Sequence, residues 1–335
     1  MKAIPYQRLR GNDGILRGNA AHIRQLELVS AVPDPESWSF VHASDMHIGS
    51  PRSYRFQPAW NANWETARAQ ILELAPDLLL IGGDMTRDGT THIEELQATK
   101  QMFDAMPMPV HCIPGNHEVG NKAGGAEAIT SEAVQQTRSV YGPSEWSFVH
   151  GEGANAVRFS GCDAFLLGSG LPEEAALRDW LEAQAEHPPA PNHVWVLHPA
   201  LFADHPDEPD VDPATNRVPW YFALDRAERA TLRHIFDATG ATHVITGHIH
   251  CRRHVEWDGL QVHFAPATAF PQWADRWPDG DATLGFLHVT VSGGELATRF
   301  VPLRETSTLE GYGPGGNPPL AGRDYSAAWE APPFR

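Results

Sequence analysis

The chain has 335 residues, 41% of them hydrophobic, and a formal net charge of −17 from 25 Lys and Arg against 42 Asp and Glu. A chain of this length can form one large α/β domain with a substantial core. Its acidic surface repels nucleic-acid backbones and anionic membranes, so we expect neither long nucleic acids nor membranes as partners. No stretch approaches the roughly 18 apolar residues of a membrane span, and the N-terminus has no unbroken apolar run, so we expect a cytoplasmic protein.

The three cysteines follow no metal-binding or redox pattern. No C-x-x-C pair occurs among Cys112, Cys162 and Cys251, and their number is odd. These features favour buried, reduced thiols. The oligomeric state cannot be read from the sequence, so a homo-oligomer stays open.

The predicted elements begin after an N-terminal extension, residues 1–36, which holds one candidate edge strand at residues 22–29. Apolar runs and helical spacing then alternate along the chain. They predict strands at residues 38–43, 77–81 and 109–113, separated by helices at residues 61–75 and 91–106. A strand–helix–strand order of this kind is typical of an α/β sheet with right-handed crossovers.

The second half of the predicted domain contains further strands and a long loop. We predict strands at residues 146–150, 156–159, 164–167, 194–197 and 242–246, helices at residues 173–186 and 225–239, and a loop at residues 199–222. Antiparallel strands with turns at Asp258-Gly259 and Gly293-Gly294 are predicted within residues 255–303. Two sheets with helices outside both explain this order, in a domain of residues 37–305 followed by a Gly/Pro-rich tail, residues 306–335.

Polar side chains of the kinds that bind metals follow five of the predicted strands. Loops at the carboxyl ends of strands form the binding site of an open α/β sheet, so we expect these side chains to converge. Glycines beside them allow the backbone to approach a metal closely. In chain order the candidates are Asp45, His47, Asp84, Asn116, His117, His198, His248 and His250.

This set of candidate ligands suits a pair of metal ions. Imidazole and carboxylate together favour Zn, Fe or Mn over Ca or Mg. The two carboxylate oxygens of Asp84 can bridge two ions, while His117 points away from its neighbour Asn116 and can stay unligated. A hydroxide shared by two such ions forms near neutral pH and can attack phosphorus in line. The sequence therefore predicts two divalent or trivalent transition-metal ions in a hydrolase for small phosphate esters, which the metal charge can attract despite the acidic surface.

The ordered motifs resemble those of the calcineurin-like metallophosphoesterase superfamily. They read D-x-H at residues 45–47, G-D at residues 83–84, G-N-H-E at residues 115–118, then His198, and G-H-x-H at residues 247–250. The resemblance implies an α/β fold, a four-layer αββα sandwich of two mixed β-sheets flanked by helices.

The resemblance also implies a role for each motif residue. It implies that His117 contacts the phosphoryl group and can protonate the leaving oxygen. It further implies that Asp84 bridges two metal ions, one held by Asp45, His47 and His250 and the other by Asn116, His198 and His248.

Two positions near Asp84 separate the chain from some branches of the superfamily. Arg87 stands where protein Ser/Thr phosphatases have an Asp that orients the catalytic His, so the partner that orients His117 is left unassigned. Met85 stands where purple acid phosphatases have a metal-bound Tyr. The G-D-x-T-x-x-G pattern of residues 83–89 is closer to the small-molecule and cyclic-nucleotide phosphodiesterase branches.

The motifs leave the class of ester open. Our leading prediction is a phosphodiesterase for small diesters, a class that includes cyclic nucleotides. A phosphomonoesterase for small molecules or phosphoproteins is the alternative, and a non-catalytic scaffold is disfavoured because His117 and all seven inferred ligands are present. Arg52, Arg55 and Asn63 follow the first motif and are candidates for contact with the substrate.

Overall fold

The computed structural model describes residues 37–122, 127–210, 217–273 and 276–311 of the chain. The predicted extension, with its edge strand, and most of the predicted tail lie outside these ranges. Among the described residues no helix is both long and apolar enough to cross a membrane. All three cysteines are free thiols, of which Cys162 and Cys251 are buried as predicted and Cys112 is partly exposed.

The first sheet has five strands and combines the start of the domain with its end. Its spatial order is β11-β10-β1-β2-β3, with the first three strands of the chain parallel and the last two joining antiparallel. The turn between the last two strands contains Gly293 and Gly294, both with positive φ, as the predicted turn requires. The strands are β1 (Trp38–Ala43), β2 (Leu78–Ile81), β3 (Val110–Cys112), β10 (Gly285–Ser292) and β11 (Glu295–Pro302).

The second sheet has six strands in the order β4-β5-β6-β7-β9-β8. Its middle strands are parallel, and an antiparallel strand pairs at each edge. Asp258 and Gly259 form the predicted turn between the last two of these strands. The strands are β4 (Trp146–His150), β5 (Val157–Gly161), β6 (Asn192–Leu197), β7 (His243–Thr246), β8 (Arg253–Trp257) and β9 (Leu260–Phe264).

Seven α-helices connect the strands within the described residues. A proline occupies the first turn of the first and fifth helices, where its missing N–H costs no hydrogen bond. Gly240 ends the last helix in the left-handed conformation, as its position in the sequence suggests. The helices are α1 (Pro58–Leu74), α2 (Ile93–Asp104), α3 (Asn116–Val119), α4 (Ser131–Tyr141), α5 (Pro172–Gln184), α6 (Arg217–Phe222) and α7 (Arg226–Thr239).

Alternating side chains on the central strands divide the core into three apolar layers. Successive residues of a strand point to opposite faces of its sheet. In β2, Leu80 packs between the two sheets, whereas Leu79 and Ile81 pack outward against α1 and α2. In β6, Val196 packs between the sheets, whereas Trp195 packs outward against α5 and α7. Helices therefore cover the outer face of each sheet, and the predicted four-layer αββα sandwich is confirmed.

Two predicted elements differ from the structure. The strand predicted at residues 164–167 is wrong, because Ala164–Leu166 form a 3-10 turn, in which the Phe165 N–H donates to the Asp163 carboxylate at 3.1 Å. The loop predicted at residues 199–222 ends in the helix α6. The first error arises because a short apolar segment is fully buried without joining a sheet.

The first residues of the predicted tail pack along α1. The Ser307 N–H donates to Asn63 Oδ1 at 2.6 Å, and the Ala59 N–H donates to the Leu309 carbonyl oxygen at 3.3 Å. This segment therefore extends the covering of the first sheet beyond β11.

Candidate metal centre and active-site cavity

The candidate ligands lie in loops that follow the carboxyl ends of β1, β2, β3, β6 and β7. The loops after β1 and β2 stay paired, since the Met46 N–H donates to the Asp84 carbonyl oxygen at 2.8 Å. The loops after β6 and β7 are joined by the Gly247 N–H, which donates to the His198 carbonyl oxygen at 3.0 Å. Backbone hydrogen bonds thus bring side chains from distant parts of the sequence to one place.

Four of the predicted ligands form a first group, with ligand atoms all within 4.8 Å of one another: Asp45, His47, Asp84 and His250. His47 Nε2 lies 3.1 Å from His250 Nε2 and 3.5 Å from Asp84 Oδ2. His250 Nε2 also lies 3.2 Å from Asp45 Oδ1. All four residues are buried, so their nitrogens and oxygens form a compact set that can hold one transition-metal ion.

Asp84, His198 and His248 form a second group with ligand atoms within the same 4.8 Å. His198 Nε2 lies 3.2 Å from Asp84 Oδ2, so Asp84 belongs to both groups. Asn116 lines the same cavity, and its buried Oδ1 has no hydrogen-bond partner. Such an unpaired oxygen is unfavourable unless a ligand completes it. The residues present therefore fit a second metal ion beside the first.

Backbone carbonyls fix the orientation of three of the imidazoles. A carbonyl oxygen only accepts hydrogen bonds, so the facing ring nitrogen carries a proton and the other nitrogen is the one that can bind a metal. This arrangement is the usual support for metal-binding histidines. The contacts are His198 Nδ1 to Gly82 O at 2.6 Å, His250 Nδ1 to Phe270 O at 2.9 Å, and His248 Nε2 to Tyr221 O at 3.1 Å.

Five of the predicted ligands have a backbone in the left-handed region. Residues other than glycine rarely adopt this region, and they keep it only where surrounding structure holds them. Strain of this kind is concentrated at functional sites. The φ angles are 56° for Asp45, 46° for His47, 49° for Asp84, 71° for His248 and 50° for His250.

Glu118, the last residue of the G-N-H-E motif, braces two of the ligand loops. Its carboxylate accepts hydrogen bonds from the Thr86 N–H at 2.8 Å, the Thr86 hydroxyl at 2.6 Å and the Gly115 N–H at 2.8 Å. A side chain at Gly115 would collide with the Asp84 carboxylate. Burial raises the pKa of Glu118 to about 7. The G-N-H-E motif therefore holds the loops after β2 and β3 close together, in addition to supplying the candidate ligand Asn116.

The charges of the ligand set compensate one another. Burial acts to lower the pKa of His198, but the carboxylates of Asp84 and Asp45 raise it to about 9. Burial acts to raise the pKa of Asp84, but His198 and His117 hold it well below its usual value. Burial lowers the pKa of His248 to about 3. Without a bound metal the floor thus carries an ionised Asp84, a neutral His248 and a protonated His198, and a metal ion would displace the proton from His198 Nε2.

His117 lies at the edge of the ligand groups. Its N–H donates to Asp84 Oδ1 at 3.0 Å, and its Nε2 lies 4.0 Å from Asp84 Oδ2. Its Nδ1 lies 2.6 Å from the carbonyl oxygen of Arg87, so a backbone carbonyl orients this ring. Burial lowers the pKa of His117, Asp84 opposes this effect and the Arg87 guanidinium adds to it. The imidazole directs Nε2 into the cavity.

Five ligands and His117 line a cavity of about 470 Å³: His47, Asp84, Asn116, His248 and His250. Asp45 and His198 do not line it but contact His250 and Asp84, and we call all these residues together the cavity floor. Aromatic rings border it on two sides. Phe270 lies 5.0 Å from His47 and 4.9 Å from Trp60, while Tyr221 stacks on His248 at 5.3 Å, all between ring centroids. A cavity of this size admits a small organic phosphate. The remaining lining residues, the cavity rim, are Tyr54, Arg55, Gln57, Trp60, Arg87, Glu127, Tyr221, Phe222, Phe270 and Gln272.

The three candidate substrate contacts lie in different surroundings. Arg55 belongs to the cavity rim, and its guanidinium lies 5.4 Å from the Tyr54 ring centroid. Arg52 is absent from the lining of this cavity. Asn63 is also absent from it, because its amide joins α1 to the Ala269 carbonyl oxygen at 2.8 Å and to the Ser307 N–H. Arg55 is thus the one of the three that the structure brings to the cavity.

Tyr221 is a site residue that the motifs did not identify. Its hydroxyl accepts a hydrogen bond from Asn116 Nδ2 at 3.0 Å, and its carbonyl oxygen accepts from His248 Nε2. These two contacts direct Asn116 Oδ1 and the free nitrogen of His248 toward the second ligand group. Burial raises the pKa of Tyr221 to about 12, so the phenol stays protonated at neutral pH. Its place at the end of α6 carries no spacing signal relative to the motifs.

The sequence model of the calcineurin-like phosphoesterase family matches residues 39–252, and the chain belongs to this family. The match covers all the ligand loops described above. Family and geometry together define a metallophosphoesterase with two groups of ligands that can each hold a metal ion. No curated protein sequence matches the chain.

Several solved structures resemble the chain in fold at low sequence identity. GAP50, the anchor in the inner membrane complex of Plasmodium, has a TM-score of 0.56 at 13% identity, over 82% of this chain and 89% of that chain. Purple acid phosphatase PPD1 from yellow lupin (Lupinus luteus) seeds has a TM-score of 0.55 at 12% identity, over 82% and 53%. A dimetal phosphatase from Danio rerio has a TM-score of 0.51 at 12% identity, over 82% and 98%. These similarities concern the fold alone.

Proposed function

We propose that this chain is a dinuclear-metal phosphoesterase that hydrolyses small phosphodiesters. One ion is held by Asp45, His47, Asp84 and His250, and the other by Asp84, Asn116, His198 and His248. Mn, Fe or Zn are the metals that this donor set favours. His117 contacts the phosphoryl group and serves as the proton donor.

The observation that carries the proposal is the shared carboxylate of Asp84. Its oxygen atoms belong to both ligand groups, and the same carboxylate accepts a hydrogen bond from the backbone N–H of His117. Two ions bound there would supply an activated water and neutralise charge on the phosphoryl oxygens. A phosphoryl group bound on the cavity floor would therefore meet the nucleophile, the neutralising charge and an imidazole together.

The chain's own residues position the proton donor. The Arg87 carbonyl oxygen holds the proton of His117 on Nδ1, and this leaves Nε2 facing the cavity. When Nε2 is protonated as well, it can donate a hydrogen bond to a phosphoryl oxygen and pass its proton to the oxygen that leaves. The pocket is partly enclosed, so the electrostatic effect of these groups is stronger than it would be in water.

The arrangement of aromatic rings favours a diester. Phe270 and Trp60 lie beside His47, and Tyr221 and Phe222 lie beside His248, so an aromatic pair borders each ligand group. A diester carries two organic groups on phosphorus, and each can pack against one of these pairs. The net charge of −17 opposes approach of a long polyanion, which fits a small substrate better than a nucleic acid.

A phosphomonoesterase that uses the same site is the second candidate. Two arginines of the cavity rim, Arg55 and Arg87, favour the extra negative charge of a monoester. A scaffold without activity is a weaker alternative, although the anchor protein GAP50 shares the fold, because this chain keeps His117 and every inferred ligand.

The test is a comparison of kcat/KM for a chromogenic phosphodiester and the matching monoester, on metal-stripped protein refilled with Mn²⁺. Metal content is measured on the same samples, and Asp84→Ala serves as the control that any activity arises at this site. We expect the diester to be preferred. Preference for the monoester would select the second candidate. Activity toward neither ester with two metal ions bound would contradict the proposal and favour the scaffold.

A further inference from the structure

Arg87 places a guanidinium group beside the proposed proton donor. Its Nη1 lies 3.4 Å from His117 Nε2, and its Nε–H donates to the Tyr54 carbonyl oxygen at 2.7 Å. The guanidinium also lies over the Trp60 ring at 5.2 Å from the centroid. Arg87 lines the cavity, so the group is held at a defined position on its wall.

The backbone and the side chain of Arg87 have separate roles. The backbone joins the loop after β2 to the loop after β1, since the Arg87 N–H donates to the Ile48 carbonyl oxygen at 2.7 Å. Its carbonyl oxygen orients His117. Any residue except proline could supply these two backbone contacts. They leave the side chain unexplained, and its Nη1 lies beside His117 Nε2 in the cavity.

The distances bring the guanidinium within reach of a bound phosphoryl group. His117 Nε2 lies 4.0 Å from Asp84 Oδ2, which belongs to both ligand groups, and Arg87 Nη1 lies next to that nitrogen. An oxygen that hydrogen-bonds His117 Nε2 from the cavity is thus also close to Nη1. Guanidinium is permanently charged, and its planar donors match the geometry of phosphate oxygens.

Charged groups around the cavity distinguish Arg87 from its neighbour. Arg55 also lines the cavity, and its guanidinium lies 5.4 Å from the Tyr54 ring centroid, whereas Arg87 Nη1 lies 3.4 Å from His117 Nε2. Glu127 is the acidic residue of the rim, so the cavity is not uniformly positive. A group bound beside His117 Nε2 therefore lies close to the Arg87 charge.

We infer that Arg87 is a further catalytic residue, whose guanidinium binds an oxygen of the substrate's phosphoryl group alongside His117. The inference rests on the proposed function, because it names a contact of that site. The inference gives Arg87 two roles, one for its backbone and one for its side chain. The carbonyl oxygen orients the imidazole, and the side chain supplies positive charge to the phosphoryl oxygens that gain charge during attack.

The experiment compares Arg87→Ala, Arg87→Lys and the exposed control Arg68→Ala with the unaltered protein, all loaded with Mn²⁺. Binding of inorganic phosphate is measured by calorimetry, and kcat/KM is measured with the better ester of the two above. We expect Arg87→Ala to weaken phosphate binding and to lower kcat/KM roughly 10- to 100-fold, which is typical of a lost hydrogen bond to a charged group. Arg87→Lys should recover part of both losses, and Arg68→Ala should match the unaltered protein.

Metal content separates a contact with substrate from a structural role. Two ions must remain in Arg87→Ala and Arg87→Lys, since Arg87 is not among the ligand groups. Loss of metal, or equal defects in the Ala and Lys variants, would overturn the inference. Unchanged phosphate binding in Arg87→Ala would overturn it as well. Absence of hydrolysis in the unaltered protein would count against the proposed function alone, because the phosphate measurement still tests the contact.

Discussion

The cavity floor and the cavity rim are built in different ways. Floor residues such as Asp84 and His198 are fully buried, follow strand ends and are tied to backbone carbonyls of neighbouring loops. Rim residues such as Arg55, Trp60 and Tyr221 are partly exposed and come from a loop and from two helices. The floor is also where the left-handed backbone angles are concentrated.

This difference in construction suggests that the floor carries out the reaction and that the rim selects the substrate. Strained, buried groups that are packed between fixed loops cannot shift without cost, so the floor must keep one arrangement. Partly exposed side chains on loops and helix ends can be replaced without disturbing a sheet. We therefore expect substitutions on the floor to abolish the reaction and substitutions on the rim to change its rate or its substrate.

The largest effect is expected from Asp84→Ala, which removes the carboxylate that both ligand groups share. The variant should hold at most one metal ion, and kcat/KM should fall by about four orders of magnitude or more, because metal activation and charge neutralisation are lost together. Metal content and kcat/KM measure the effect. Asp104→Ala, at an exposed ion pair of α2, is the matched control. Two ions bound in Asp84→Ala would refute the bridging role.

His117→Ala should leave both metal ions bound and reduce kcat by about 10²–10⁴-fold, since a general acid contributes a factor of this size. The measurement is kcat for an ester with a poor leaving group, which depends most on proton donation. If His117→Ala lowers kcat less for an ester with a good leaving group, the role of His117 as proton donor is supported. Turnover equal to that of the unaltered protein would remove His117 from the mechanism.

Tyr221→Phe tests whether the rim supports the floor. The change removes the hydroxyl that accepts from Asn116 Nδ2 but keeps the carbonyl oxygen that orients His248. Affinity for the second metal ion should fall roughly 10-fold, as is usual when a group that orients a ligand is lost. Metal titration measures this effect, with Tyr141→Phe, which pairs with Thr99, as the control. If Tyr221→Phe binds the second metal ion as tightly as the unaltered protein, the Tyr221 hydroxyl is not needed to orient Asn116.

Arg55→Ala should raise KM by about 3- to 10-fold with little change in kcat, because a partly exposed charge contributes to substrate binding only modestly. Arg52→Ala is expected to have the smaller effect, since Arg52 does not line the cavity. Initial rates across a range of substrate concentrations separate KM from kcat. A larger rise in KM for Arg52→Ala than for Arg55→Ala would show that Arg52, and not Arg55, contacts the substrate.

The smallest effect on turnover is expected from Glu95→Gln, which instead changes the pH dependence of stability. Glu95 accepts hydrogen bonds from the Ser53 hydroxyl and, at 2.7 Å, from the Asp88 N–H. Burial raises its pKa from 4.5 to about 8. The stability that the protonated acid contributes is therefore full below about pH 4.5 and is lost as the pH rises through 8.

Urea unfolding at pH 5 and pH 8 measures this linkage. The free energy of unfolding of the unaltered protein, relative to Glu95→Gln, should decrease by on the order of 3 kcal/mol between these two values. Both proteins are compared without added metal, so that other titrating groups cancel. If the difference in free energy of unfolding between the two proteins is the same at both pH values, folding does not raise the pKa of Glu95.

The strands and the floor could be predicted because both leave local signals. The strand predicted at residues 38–43 coincides with β1, since four of its six residues are apolar and both faces of the strand are covered. Both predicted turns lie where Asp258-Gly259 and Gly293-Gly294 supply positive φ. Ligands that directly follow such strands share one edge of the sheets, so their convergence follows from the topology.

The helix α4 and the rim could not be predicted, because their signals lie in tertiary contacts. α4 buries only Ala133, Val134 and Thr137 among polar residues, which gives a narrow apolar stripe. Trp60 and Phe270 are 210 positions apart and meet only once α1 is packed beside the loop after β9. The backbone carbonyl that orients His117 has no residue identity to detect in a sequence.

The cavity floor draws on both sheets of the sandwich. Asp45, His47 and Asp84 come from loops of the first sheet, whereas His198, His248 and His250 come from loops of the second. Each ligand group contains members from both. A bound ion would therefore fasten one sheet to the other, and its binding free energy would add to the apolar layer between them. Metal occupancy would then report the fraction of molecules in which the two halves of the sandwich have closed on each other.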